Sequence, residues 1–76
     1  MTEEGFALGA VLREMRVRKH MSLAEMARES GVSKSAIVRI EKGDRNPGLV
    51  TLTGIAGALG IRFLLDADGV FIEDAP

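Results

Sequence analysis

A mainly α domain of four to five short helices, closed by a short C-terminal β-hairpin, is the fold class this sequence predicts. Three observations predict it. Residues 22–42, SLAEMARESGVSKSAIVRIEK, spell two short helices with start and stop signals around a turn. Apolar residues recur at helical spacing on either side of that segment, in 6–20 and in 49–59. After Gly60 the helical rhythm stops: IRFLL and VFI, rich in β-branched and aromatic residues, flank the turn string DADG.

The first helix is read over 6–20. Leu8, Leu12 and Met15, with Val11 beside them, have the i, i+4, i+7 spacing of a buried face. Arg13, Arg16, Arg18 and Lys19 make its second half basic, which suits the negative end of a helix dipole. Ser22 followed by Glu25 is a capping box that starts the second helix. Leu23, Met26, Ala27 and Ser30 form its inner stripe, and Gly31 stops it where a left-handed residue costs little. Ser33 caps a third helix whose Ile37 and Ile40 continue the stripe up to a stop at Gly43. Lys34, Ser35 and Arg39 lie off that stripe. A pair of helices joined in this way leaves one edge of the second free to enter a DNA major groove.

The string DRNP then makes a turn-rich loop, with Asn46 pushed out of helical conformation by Pro47. A fourth helix spans 49–59, with Leu49, Leu52, Ile55, Ala56 and Leu59 on one face. Gly54 and Gly57 cost it about 1 kcal/mol each relative to Ala, so it depends on packing, and they permit close helix approach. The final segment reads as a hairpin of two strands. Phe63, Leu65, Val70 and Ile72 alternate with their neighbours as a strand face does. Pairing with the same segment of a second chain would satisfy its edges, since a lone hairpin is marginal. The alternative is a short fifth helix over 61–65 followed by a disordered tail.

Composition narrows the function. Residues 1–61 make one small helical domain and 62–76 a tail that is no separate domain. The chain is 46% apolar with three Phe and neither Trp nor Tyr, so its core is aliphatic. With no Cys and a single His, His20, there is no thiolate site or His pair for a metal; His20 reads as an exposed helix-end residue. No glycine-rich phosphate loop and no catalytic constellation appears, so neither enzyme activity nor cofactor is expected. No apolar run approaches the ~20 residues a bilayer needs, and no signal-peptide pattern opens the chain. A cytoplasmic protein without membrane attachment is expected. The net charge of −1 is low for a nucleic-acid binder, but it is unevenly spread. Residues 1–60 hold nine Lys/Arg against seven Asp/Glu, whereas 61–76 hold Arg62 against Asp66, Asp68, Glu73 and Asp74. The acidity sits at the C-terminus. The slight basic excess of the remainder predicts modest non-specific affinity for DNA.

With these motifs in order, residues 8–61 resemble the lambda repressor/Cro-like helix-turn-helix family, also called the Xre family. LGAVLREMR, SLAEMARESGVSKSAIVRIEKGDRNP and LVTLTGIAGALGI follow its helices in sequence. Ala27 and Gly31 fall on its helix-crossing and turn positions, and Ile37 and Ile40 on its buried recognition-helix positions. The resemblance implies that Arg16 and Glu41 form a structural ion pair clamping the first helix to the end of the recognition helix. It places Ser33, Lys34, Ser35, Val38 and Arg39 toward the major groove, and Arg45 and Asn46 in a loop against the phosphate backbone. Where many members carry Gln at the start of the second helix, this chain has Leu23, which leaves docking to Ser22 and the helix N-terminal N–H groups. The tail is similar to that of antitoxin repressors of the Hip type, whose homodimers pair their tails and hold a toxin. The expectation is a homodimeric repressor of a palindromic double-stranded DNA operator, dimerised through Phe63, Leu65, Val70 and Ile72. The alternative is an antitoxin whose main partner is a cognate toxin protein.

Overall fold

The computed structural model describes residues 3–43 and 47–75. Four helices precede a two-stranded antiparallel hairpin: α1 Glu3–Arg18, α2 Leu23–Ser30, α3 Lys34–Glu41, α4 Leu49–Leu59, β1 Ile61–Asp66 and β2 Gly69–Asp74. The expected architecture is present, and the hairpin rather than a fifth helix follows α4.

The boundaries of α1 differ from the apolar rhythm at both ends. It begins at Glu3, because acidic residues such as Glu3 and Glu4 are themselves a helix-start signal. It ends at Arg18 through a Schellman turn. The His20 N–H donates to the Val17 carbonyl at 2.9 Å and the Met21 N–H to the Arg16 carbonyl at 3.1 Å. His20 takes the left-handed position at φ 57°, where glycine is the usual occupant. No glycine advertises this stop in the sequence.

The two central helices are capped as their spellings require. The Glu25 N–H donates to Ser22 Oγ at 3.0 Å while the Ser22 N–H donates to Glu25 Oε1 at 2.8 Å, closing the capping box. Gly31 stops α2 at φ 73°, and the Ala36 N–H donates to Ser33 Oγ at 3.2 Å to start α3. Helix α4 starts at Gly48 without a side-chain cap and stops at Gly60, φ 69°.

Leu12, Met26, Ile37, Ile40, Ile55, Leu59 and Ile61 form the core, so every helix contributes and β1 adds its first residue. Two positions expected on buried faces lie outside: Val11 is exposed on α1, and Leu49 is 74% exposed at the start of α4. The buried stripe of the fourth helix therefore runs from Ile55 to Leu59. A Cβ on Gly54 would run into the Ser30 carbonyl at the end of α2, so the two helices meet there with no side chain between them. Gly57 has open space around it and serves no such approach. A second close approach is Gly9, where a Cβ would strike the Ile40 carbonyl of α3. Each helix of the central pair is thus gripped by a glycine of a flanking helix.

In the hairpin, Phe63 faces Ile72, Leu65 faces Val70 and Leu64 faces Phe71. Ala67 and Asp68 form the turn, the Asp68 N–H donating to Asp66 Oδ1 at 2.7 Å. Gly69 follows at φ 133°, a backbone conformation only glycine takes readily. The Ala75 N–H donates to the Gly60 carbonyl at 2.9 Å and ties the end of β2 to the end of α4. Phe63 and Ile72 pack on their own core, while Leu65 and Val70, on the same face but beyond the body, are exposed.

Candidate nucleic-acid interface

The site is built on α3, whose anchoring decides which way its polar edge points. Ile37 and Ile40 are buried, so the residues on the far side are presented outward. Lys34, Ser35, Val38 and Arg39, at i, i+1, i+4 and i+5, share that outward face; Val38 is half-buried and the others exposed. Ser33 and Ser22 stand exposed at the starts of α3 and α2. Each hydroxyl oxygen accepts its cap bond, which leaves the Ser22 hydroxyl hydrogen available to a phosphate oxygen, while Ser33 Oγ also stands 3.5 Å from Ser35 Oγ, where either can donate. Arg45 and Asn46 lie outside the described residues.

The C-terminal end of α3 is held by Arg16. Its Nε donates to Glu41 Oε2 at 2.8 Å and its Nη2 to Glu41 Oε1 at 3.2 Å, a two-point fork. Its Nη1 donates to the Met21 carbonyl at 2.7 Å, so one guanidinium joins α1, the turn before α2 and the end of α3. The two side chains are only 10% and 8% exposed. The hydrogen bond to Glu41 raises the Arg16 pKa further, against the opposing effect of burial. At the start of α2, the Ser22 backbone N–H, and then its side chain, hold the Glu25 carboxyl below the usual range.

Three residues at this site, Arg13, Leu23 and Lys42, are not among those the sequence points to as contacts. Arg13, Leu23, Val38 and Lys42, with the Arg16–Glu41 pair as a wall, line an open cleft of about 230 Å³ between α1, α2 and α3. Helical spacing carried a signal for two of them. Arg13 lies one turn before Arg16, and Lys42 one turn after Val38. For Leu23 the sequence shows the loss of a polar contact but not its place in a cleft.

Among the described residues, no group of three or more His, Asp or Glu is placed to hold a metal ion, and no helix is long and apolar enough to cross a membrane.

Two capped helices about a glycine turn, the second buried on one side and polar on the other, define a helix-turn-helix domain. Residues 12–65 match the family model described as Helix-turn-helix, and the chain belongs to that family, in its lambda repressor-like, Xre form. It is similar to the HTH-type transcriptional regulator SlrR of Bacillus subtilis, 36% identical over 87% of this chain and 45% of that protein. The immunity repressor protein of Bacillus phage phi105 is 33% identical over 72% of this chain and 38% of its own length. An HTH-type transcriptional regulator of Methanothermobacter thermautotrophicus is 36% identical over 78% of this chain and 93% of its own length. The chain thus spans under half the length of the first two. No solved structure gives a significant match.

Proposed function

We propose that this chain is a cytoplasmic, sequence-specific DNA-binding regulator that represses transcription as a homodimer on a palindromic operator. One observation carries the reading: α3 offers Lys34, Ser35, Val38 and Arg39 on one exposed face while Ile37, Ile40 and the Arg16 fork hold it from behind. Lys34 and Arg39 can donate to guanine O6 and N7, the serines to base or phosphate, and Val38 can meet a thymine methyl. Ser22, Arg45 and Asn46 are assigned to the phosphate backbone. The relatives named as transcriptional regulators and as an immunity repressor support the regulatory role. No catalytic role is assigned to any residue.

The dimer is assigned to the hairpin. Leu65, 73% exposed, and Val70 extend the face that Phe63 and Ile72 begin, and a second copy would cover them. Two recognition helices about a two-fold axis would then read half-sites ~34 Å apart. Selection of bound sequences from a random duplex library, with footprinting of the best and sedimentation of the protein, tests this. Palindromic sites and a dimer are expected. A chain that stays monomeric at tens of micromolar and selects no sequence would end the reading. Leu65→Ser with Val70→Ser should leave a folded monomer with sharply reduced operator affinity, each half-site then being bound independently.

A second reading, an antitoxin held by a toxin protein, is favoured by one feature. The hairpin tip is apolar on both faces, with Leu64 and Phe71 exposed on one and Leu65 and Val70 on the other. One symmetric contact covers one face more readily than two. Affinity capture on the intact chain that returns DNA and a second copy, but no other protein, counts against this reading.

A further inference from the structure

We propose that Asp68–Gly69, at the tip of the hairpin, is a site of spontaneous covalent modification, where the chain passes through a succinimide to isoaspartate and so limits the lifetime of the hairpin. The chemistry concerns this chain alone; its consequence for dimerisation rests on the assignment of the dimer to the hairpin.

The reaction needs an aspartate carboxyl that is not held elsewhere, a following residue whose nitrogen is unshielded, and access for water. Among Asp44, Asp66, Asp68 and Asp74, Asp68 alone precedes glycine. Asp66 is followed by Ala67, and its Oδ1 is occupied, accepting the Asp68 N–H at 2.7 Å. The Asp68 carboxylate accepts no hydrogen bond and forms no ion pair among the described residues. Ala67 and Asp68 are exposed, and the space where a Cβ of Gly69 would stand is open. The nitrogen that must attack therefore has no side chain beside it.

The fold also keeps the reactive pair in place. Gly69 sits at φ 133°, where an L side chain is strained, so the turn requires glycine there. The turn makes no such demand on the Asp68 side chain, because its local bond uses only the Asp68 backbone N–H.

In the first step the Gly69 amide nitrogen attacks Asp68 Cγ. A C–N bond forms, and the carboxyl hydroxyl leaves with the amide hydrogen as water. A second water then opens the five-membered ring. Attack at the side-chain carbonyl restores aspartate. Attack at the main-chain carbonyl leaves the chain running through Cβ and Cγ, with the α-carboxylate as the side group. Water is the only co-reactant, and the composition of the chain is unchanged.

Isoaspartate adds one carbon to the main chain inside the two-residue turn of Ala67 and Asp68. The length of that turn sets the register in which Leu65 faces Val70 and Phe63 faces Ile72. Leu65 and Val70 stand nearest to it and lose their alignment first, while the Ala75 N–H still ties the far end to the Gly60 carbonyl. The helical core takes only Ile61 from the strands among its buried residues, so the body stays folded.

Ageing the intact chain at neutral pH in water enriched in heavy oxygen tests this. Trypsin cleavage after Arg62 releases 63–76, which holds Asp66, Asp68 and Asp74 in one peptide, and electron-transfer fragmentation locates label and isoaspartate. Each ring opening should place one heavy oxygen at Asp68, part of it in isoaspartate, with Asp66 and Asp74 unlabelled. Asp68→Glu, whose ring would be one atom larger, should take no label. Asp68→Asn should convert several-fold faster, ammonia leaving in place of water. No label at Asp68, or equal label at Asp66, would overturn the site. The isoaspartate form, separated by chromatography, should lose the NMR contacts between Leu65 and Val70 and sediment lighter than the unaged chain, while aged Asp68→Glu keeps both properties. Unaltered contacts in that form would overturn the effect on the hairpin. Lost contacts with unaltered sedimentation would uphold the modification and remove the hairpin as the dimer contact.

Discussion

The helical body and the hairpin contain the same kinds of contact made under opposite conditions. Each has an Arg–Glu pair at hydrogen-bond distance: Arg16 with Glu41 at 2.8 Å in the body and Arg62 with Glu73 at 2.7 Å across the strands. The first pair is almost wholly buried and the second about half exposed. Each region also has leucines, yet Leu12 and Leu59 are buried while Leu64 and Leu65 are not. The chemistry of these residues does not separate the two regions. What separates them is whether another element lies on top, which in the body is a helix and in the distal hairpin is solvent.

Removing an arginine from each pair is the strongest way to break this comparison. Arg16→Ala should cost about 3–5 kcal/mol, because Glu41 is left buried and unpaired and the Met21 carbonyl loses its donor. Arg62→Ala should cost less than about 1 kcal/mol, since water screens an exposed pair. Urea unfolding of both variants checks the ratio, and similar losses would mean that burial does not distinguish the regions. Leucine truncation comes next. Leu59→Ala should cost about 2–5 kcal/mol, whereas Leu65→Ala should fall within about 0.5 kcal/mol for the monomer. A large loss at Leu65 in dilute protein would show that the hairpin tip is covered within one chain.

Glycines sharpen the account of the body itself. Gly54→Ala forces α2 and α4 apart and should destabilise by about 1–3 kcal/mol. Gly57→Ala, three residues on and facing open space, should stabilise by up to about 1 kcal/mol through helix propensity. Thermal melts of the two variants should therefore move in opposite directions. The smallest effect is that of pH. The folded Glu25 carboxyl is held below its unfolded pKa, so its contribution is present above about pH 4.3 and declines as the pH falls through the folded value. Glu25→Ala should flatten that part of the acid side of a melting-temperature profile and leave the neutral region offset by a constant amount. An unchanged acid limb would show that the capping box carries no pH dependence.

Much of this molecule is legible in the chain because it is decided within about four residues. Ser22 with Glu25, Gly31, Ser33 and Gly60 place helix ends through bonds to their own neighbours, and the DADG string closes a hairpin locally. The His20 stop escaped because its signal is a backbone angle that histidine tolerates but does not advertise. The outward face of α3 was equally readable, since two buried isoleucines leave only one orientation for Lys34, Ser35 and Arg39.

Sequence by itself therefore determined the order of the elements, the capped ends of α2 and α3, the glycine stop of α4 and the buried faces of α2 and α3, and the helix-turn-helix they compose, because caps and periodicity act through the nearest turn. Only the tertiary structure decided which of two similar glycines meets a neighbouring helix, and that Gly9 touches α3 from the far end of the domain. It also decided that Arg13 and Lys42 line one cleft, and that Phe63 and Ile72 turn to their own core while Leu65 and Val70 remain outside. The physical reason is distance along the chain. Contacts between residues twenty or more apart depend on how helices cross, and a crossing is set jointly by all the side chains that meet there.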